Sequence, residues 1–159
     1  MFKVGIIGDE ASQDFQTVVD MAVEFNLDSI EVRSVWDKAP QELTDQDIDN
    51  MKQILEGTNV KIIGIASPFY KCDIDNTEER KEHINILKWC IKLAKAFDVN
   101  LIRTFVFWKI DNIEERWGEI VGSYDEPVRI AESEGITLGM ENEYSTNLAT
   151  AKLTERFIG

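Results

Sequence analysis

Five short apolar segments alternate with amphipathic helical patterns, and this alternation restricts the fold more than any other feature of the chain. The segments are KVGIIGDE (3–10), SIEVRS (29–34), VKIIGIASPFY (60–70), LIRTFVFW (101–108) and ITLGMENE (136–143). Each is rich in β-branched or aromatic residues, the composition of strands. The first helical pattern sets Phe15, Val18, Val19 and Ala22 at i, i+3, i+4 and i+7, one apolar stripe. The second opens at Thr44, an N-cap residue with Asp47 three positions on, carries Ile48, Met51 and Leu55, and stops at Gly57. The third opens with Asn76 and Glu79 in capping-box spacing and runs through Ile84, Leu87, Ile91 and Ala94. The fourth covers 112–134, with Pro127 inside it, which predicts a kink or a fresh start near Asp125. A fifth pattern begins near Thr150 and reaches Phe157.

Strand, helix and strand at intervals of ~25–40 residues imply parallel strands joined by right-handed crossovers. An open doubly wound sheet and a (β/α)8 barrel both satisfy that rule. A whole barrel needs ~250 residues, about 31 per unit, so the 159 residues here hold about five units. No G-x-G-x-x-G follows the first strand and no G-x-x-x-x-G-K-[ST] occurs anywhere. Instead, nearly every strand ends in polar or charged residues, as barrel strands do where they carry an active site. The expected fold is therefore α/β: a partial (β/α)8 TIM barrel, one truncated domain over residues 1–159, with about five parallel strands each followed by a helix.

Charge and residue usage remove several function classes. Seventeen Lys and Arg against thirty Asp and Glu leave a net charge of −13. Polyanion binding needs clustered cations, so no nucleic-acid partner is expected. No apolar run approaches the ~20 residues that cross a bilayer, and the N-terminus lacks the pattern of a signal peptide. The expectation is a cytoplasmic protein with no membrane partner. Cys72 and Cys90 form no C-x-x-C pair and are expected to be reduced thiols. His83 is the sole histidine and falls on a helical boundary, which excludes a histidine metal cluster within the chain.

The strand ends supply the candidate site. Alternation puts Glu31 and Arg33 on one face with Ile30 and Val32 opposite, and Glu141 and Glu143 on one face with Leu138 and Met140 opposite. Glu10, Ser67, Lys71 and Arg103 also stand at strand ends. Carboxylates converging with Arg33, Lys71 and Arg103 suit a divalent metal together with a polyhydroxylated or anionic substrate. A carboxylate beside a polarised carbonyl can take a proton from the adjacent carbon. Internal ion pairing of the same groups is the competing reading, above all for Arg33 beside Glu31. Trp36, Phe69, Tyr70, Phe105, Phe107 and Trp108 follow strand ends as well, either as core or as an apolar wall beneath a sugar ring. Ser145, Thr146 and Asn147 serve either as a turn before the last helix or as polar contacts to substrate.

Taken in order, SIEVRSVW, IASPFYK, LIRTFVFW and AESEGITLGMENEYSTN resemble the xylose isomerase-like TIM-barrel superfamily, the sugar phosphate isomerase/epimerase group. That group also includes hydroxypyruvate isomerase, ketose 3-epimerases and endonuclease IV. The resemblance covers the first five of the family's eight strands. It implies that Glu141, at the end of the fifth strand, is a ligand of a divalent metal (Mn, Co, Zn or Mg), and that Glu141 and Glu143 are catalytic. Glu31, Arg33, Ser67, Lys71 and Arg103 match positions that face substrate. The implied function is proton transfer next to a carbonyl in a sugar or sugar phosphate. The family's remaining metal ligands belong to strands six to eight, so the lone chain is expected to be incomplete and inactive. Endonuclease chemistry is disfavoured: the strand-end histidines of the third and fourth strands are absent, Ser67 and Phe107 lying in those regions. Two exposed sheet edges predict a homo-oligomer. A non-catalytic half-barrel or small-molecule-binding α/β module is the alternative.

Overall fold

The computed structural model describes residues 3–159. Five strands, β1 (Gly5–Ile7), β2 (Ser29–Val32), β3 (Lys61–Ala66), β4 (Leu101–Thr104) and β5 (Thr137–Met140), form one sheet in the order β1-β2-β3-β4-β5. All four pairings are parallel. The helices are α1 (Phe15–Glu24), α2 (Asp45–Leu55), α3 (Thr77–Ala96), α4 (Ile113–Gly122), α5 (Asp125–Ser133) and α6 (Ala151–Ile158). Sequential parallel order with a helix after each strand is the pattern of a TIM barrel, here five units of it with β1 and β5 as edges.

Local sequence accounts for the helix boundaries. Asp14 caps α1 by accepting from Thr17 N–H at 2.8 Å. Thr44 and Asp47 form a reciprocal box at α2: the Thr44 hydroxyl accepts from Asp47 N–H at 3.2 Å, and Asp47 accepts from Thr44 N–H at 2.7 Å. The chain leaves α2 through Gly57 at φ +78°, a conformation that disfavours a side chain. Pro127 divides the predicted fourth helix: α4 stops at Gly122, and α5 restarts at Asp125 with the proline in its first turn, where a missing N–H costs nothing. Two 3-10 turns, Gly8–Glu10 and Pro40–Glu42, lie in segments without helical periodicity.

The strands are shorter than their apolar runs. Residues 67–70, 105–108 and 141–143 lie beyond the strands, in the βα connections. The core sits between the outer sheet face and the helices: Ile30, Val32, Ile62, Ile65 and Ile102 pack with Phe15, Val18, Leu87 and Leu93, all buried. A bulge makes this possible in β3. Ile30 pairs with Ile62 but Glu31 pairs with Gly64, so Ile63 is the extra residue. Ile62 and Ile65 can then both face the helices. Ile63 and Leu101 are left 53% and 40% exposed on the sheet's inner face. Among the described residues no helix is long and apolar enough to cross a membrane.

Candidate functional site

The C-terminal ends of the strands bring Glu31, Arg103 and Glu141 together. Glu31 is on β2, Arg103 on β4, and Glu141 directly follows β5, its N–H still bonded to the Thr104 carbonyl at 3.0 Å. The Arg103 guanidinium spans both acids: Nε lies 3.3 Å from Glu31 Oε1 and Nη1 lies 2.8 Å from Glu141 Oε2. Small neighbours leave room for this. Gly64 pairs with Glu31 and Gly139 pairs with Arg103 in the sheet. A Cβ on Gly139 would come within 3.1 Å of Leu101 Cδ1, so its absence keeps the inner face open beside the arginine.

A second pair lies on the same rim. Lys71 Nζ is 2.7 Å from Glu143 Oε2 and 4.2 Å from the centre of the Phe105 ring, with the Trp108 ring 5.9 Å away. The Ser145 hydroxyl donates to Glu143 Oε1 at 2.6 Å. Burial disfavours the Glu143 carboxylate, but Lys71, the Ser145 hydroxyl and the field of Arg103 outweigh it and hold the carboxyl below its ordinary value. Arg33, Ser67, Lys71, Arg103, Glu141 and Glu143 line one cleft of about 360 Å³. Glu31 and Arg103 also line the adjoining space over the inner sheet face.

The remaining sequence candidates divide between contact and support. Arg33 turns to Asp9 at 2.9 Å and to Glu10 at 2.7 Å, not to Glu31. The first of these bonds is the main reason its guanidinium holds its proton more tightly than usual. Ser67 is buried; its hydroxyl donates to the Arg103 carbonyl at 2.7 Å and so braces the strand end that carries the arginine. Phe69, Tyr70 and Phe107 are core, stacked in sequence at 4.0 and 4.3 Å, and Trp36 packs edge-on against Phe15. Phe105 is buried yet borders the cleft, and Trp108 is 41% exposed. Ser145, Thr146 and Asn147 hold the turn: Thr146 donates to the Glu143 carbonyl at 2.9 Å, and Asn147 accepts from Ile110 N–H at 3.1 Å. His83 Nδ1 accepts from Tyr70 N–H at 2.8 Å within the core. Both cysteines are free and buried, with thiols pushed up to about 12 chiefly by burial.

Sequence reasoning missed Asp9. It precedes Glu10 in the GDE run, the 3-10 turn aims both acids at Arg33, and the run of two acids after a strand was the available signal. Trp36, Tyr70 and Phe107 take positive φ values of 53°, 60° and 49°. All three lie in βα connections at the cleft end of the sheet, where backbone strain concentrates in functional folds.

A metal centre does not fit the residues present. Among the described residues no three His, Cys, Asp or Glu side chains gather in a group able to hold a metal ion. Glu141 Oε2 faces Arg103, and Glu31 lies on the other side of the same guanidinium. A cationic side chain thus stands between these two carboxylates.

The same five-unit frame recurs in known structures. The protein with a binding zinc atom called IOLI overlays with a TM-score of 0.80 at 17% identity, across 99% of this chain and 58% of that one. A probable 3-DHS dehydratase, AsbF of Bacillus anthracis, gives 0.77 at 19% identity over 99% and 58%. D-allulose 3-epimerase from Methylomonas sp., in complex with D-allulose, gives 0.75 at 16% identity over 99% and 58%. The chain therefore spans about three fifths of the length of these neighbours, and at such identities the likeness is one of fold. No curated protein matches the chain significantly. A family model for the xylose isomerase-like TIM barrel matches residues 19–159. With that match over most of the chain, and with sequential parallel strands that gather charged residues at their C-terminal ends, the protein belongs to the xylose isomerase-like TIM barrel family.

Proposed function

We propose that residues 1–159 form a partial-barrel domain that supplies part of a sugar or sugar phosphate isomerase/epimerase site. One observation carries this reading: Arg103 holds Glu31 and Glu141 at one point, in a cleft that also contains Glu143 and Lys71. Glu141 and Glu143 are the proton-handling carboxylates. A proton leaves the carbon next to a carbonyl for one carboxylate and returns from a carboxyl to the neighbouring carbon or the opposite face. Arg33, Ser67, Lys71, Arg103 and Glu31 orient the substrate. A divalent ion (Mn, Co, Zn or Mg) requires ligands beyond those described here, with Glu141 as the one carboxylate this chain offers. A homo-oligomer through the open sheet edges is the proposed assembly.

The test is a titration followed by amide NMR with D-fructose and D-allulose. Shifts at Arg103–Phe105 and Met140–Glu143, weakened about tenfold in Glu141→Gln, are expected; tenfold corresponds to one hydrogen bond to a charged group. Parallel titrations with Mn, Co, Zn and Mg should show at most weak binding to the chain by itself. A second reading, a non-catalytic binding module, is favoured by the fact that Glu31, Glu141 and Glu143 are each matched by a cation. Sugar binding with no loss in Glu141→Gln would select it.

A further inference from the structure

The one histidine of the chain holds the βα connection that carries Lys71. His83 is buried in α3, and its Nδ1 accepts from Tyr70 N–H at 2.8 Å. Tyr70 stands at φ +60°, a left-handed conformation that a bulky residue keeps only where its surroundings impose it. On either side the connection is tied to the chain beyond β4: the Phe69 carbonyl accepts from Phe105 N–H at 3.0 Å, and the Cys72 carbonyl from Trp108 N–H at 2.9 Å. Between those anchors lies the Tyr70–Lys71 link, and Lys71 Nζ reaches Glu143 Oε2 at 2.7 Å in the cleft.

The Tyr70 bond allows one protonation state. A neutral imidazole carries its hydrogen on Nε2 and accepts at Nδ1, whereas an imidazolium donates from both nitrogens. A proton on Nδ1 would set two donors against each other inside the core. The charged ring has somewhere to turn. Glu79 and Glu82 precede it on α3, and their fields favour the cation. Glu79 is tied to the same connection, its Oε2 accepting from Asp73 N–H at 3.4 Å, so a charged His83 competes for that carboxylate as well.

The other groups around the ring stay neutral or are engaged elsewhere. Burial pushes the Tyr70 phenol and the Cys72 thiol up to about 12, and raises the Tyr124 phenol where α4 gives way to α5. Arg80 on α3 donates to the Ile74 carbonyl at 3.1 Å, and Glu42, in the turn packed on α3, accepts from Ala39 N–H at 2.7 Å. Strands β3 and β4 turn apolar Ile65 and Ile102 to the helices.

From this arrangement we propose that His83 is an acid-released latch on the cleft: a proton on Nδ1 breaks the bond to Tyr70 N–H, the Tyr70–Lys71 link shifts, and Lys71 leaves Glu143. The proposal rests on the isomerase reading only for its consequence, the loss in acid of a cation that orients substrate. Burial is the main cause that lowers the pKa of the ring from 6.5, so the latch is closed above pH 6.5 and opens as pH falls through the lower folded value.

The experiment is NMR of the full chain without ligand, from about pH 7.5 down to about pH 4.5. The His83 ring, the single histidine signal, should titrate with a midpoint below 6.5. The amides of Tyr70, Lys71 and Ser145 should move with the same midpoint. Exchange of the Tyr70 amide with water, corrected for pH, should rise at least about tenfold once the ring is charged. The Lys71 side chain should lose the ring-current shift that Phe105, 4.2 Å from Nζ, gives it. His83→Asn puts an amide oxygen near the Nδ1 position and does not titrate; it should keep the neutral-protein resonances of Tyr70 and Lys71 across the whole range. His83→Ala, with no acceptor, should show the acid-form shifts at every pH. A ring that titrates while Lys71 stays over Phe105 overturns the proposal. So does a ring that never titrates in the folded chain, or an acid shift of Lys71 that persists in His83→Asn. No sugar is present, so these outcomes leave the isomerase reading untouched; it stands or falls on the sugar titration.

Discussion

Arg103 shows how one side chain decides what its neighbours can do. Without it, Glu31 and Glu141 would be two like charges on one inner face with no cation between them, and their repulsion would splay them apart. With it, the pair is fixed in place and a metal ion is kept from sharing both. His83 is the other residue whose ionisation matters. Burial is the main cause that lowers its pKa from 6.5, and it outweighs the opposing fields of Glu79 and Glu82. Its Nδ1 must stay unprotonated to accept the Tyr70 N–H. The unfolded chain therefore binds the proton more readily than the folded one. His83 contributes its full stability above pH 6.5, and that contribution declines as pH falls below 6.5 through the lowered folded value. Urea midpoints measured from about pH 7.5 down to about pH 5.5, on either side of the free histidine value, should fall for the wild type. In His83→Gln the step over that interval should vanish.

At the scale of elements, side-chain caps set where α1, α2, α3 and α6 start, and a proline marks the start of α5. The Thr44–Asp47 box is joined by Lys38, whose Nζ lies 2.8 Å from Asp47. The Lys38 bond, ahead of the two Thr44 bonds, pulls the Asp47 carboxyl down to about 2. Thr44→Ala removes the hydroxyl acceptor for the Asp47 N–H and should cost about 1 kcal/mol, read from the urea midpoint with an unchanged slope. The apolar stripe of α1 and the proline restart at α5 were legible because helix periodicity and the geometry of proline act over a few residues. Strand lengths were not. The apolar runs 60–70 and 101–108 continue past β3 and β4 because their last residues pack as βα connections: Phe69, Tyr70 and Phe107 stay buried without pairing in the sheet. The bulge at Ile63 was equally hidden, since it depends on which residue of β3 meets Glu31.

At the largest scale, residues 3–159 form an open five-stranded sheet covered by helices on its outer side. Its inner side carries Ile63 and Leu101 exposed, with the charged cleft at one end. Exposed apolar side chains on the inner face, and the edge strands β1 and β5 on either side of the sheet, favour association. Sedimentation velocity on the chain at high concentration should show a species heavier than the monomer, and Ile63→Glu with Leu101→Glu should return it to monomer mass. A wild type that sediments as a folded monomer at every concentration would remove the oligomer proposal. The net charge of −13 acts at this scale too: it keeps copies apart at low ionic strength, so the heavier species should gain population as salt is added.

By itself the sequence determined the order of elements, the parallel sheet, the helix starts and the set of charged residues at the strand ends. The order of elements, the helix starts and the strand-end charges follow from residues close in the chain, and the parallel sheet from the crossover that strand–helix–strand alternation requires. Only the tertiary structure decided the pairings: Arg103 with Glu31 and Glu141, Lys71 with Glu143, Arg33 with Asp9 and Glu10. Several acids lie within reach of any strand-end cation, and register, bulge and turn geometry select among them. Those features are settled by the packing of residues far apart in the chain.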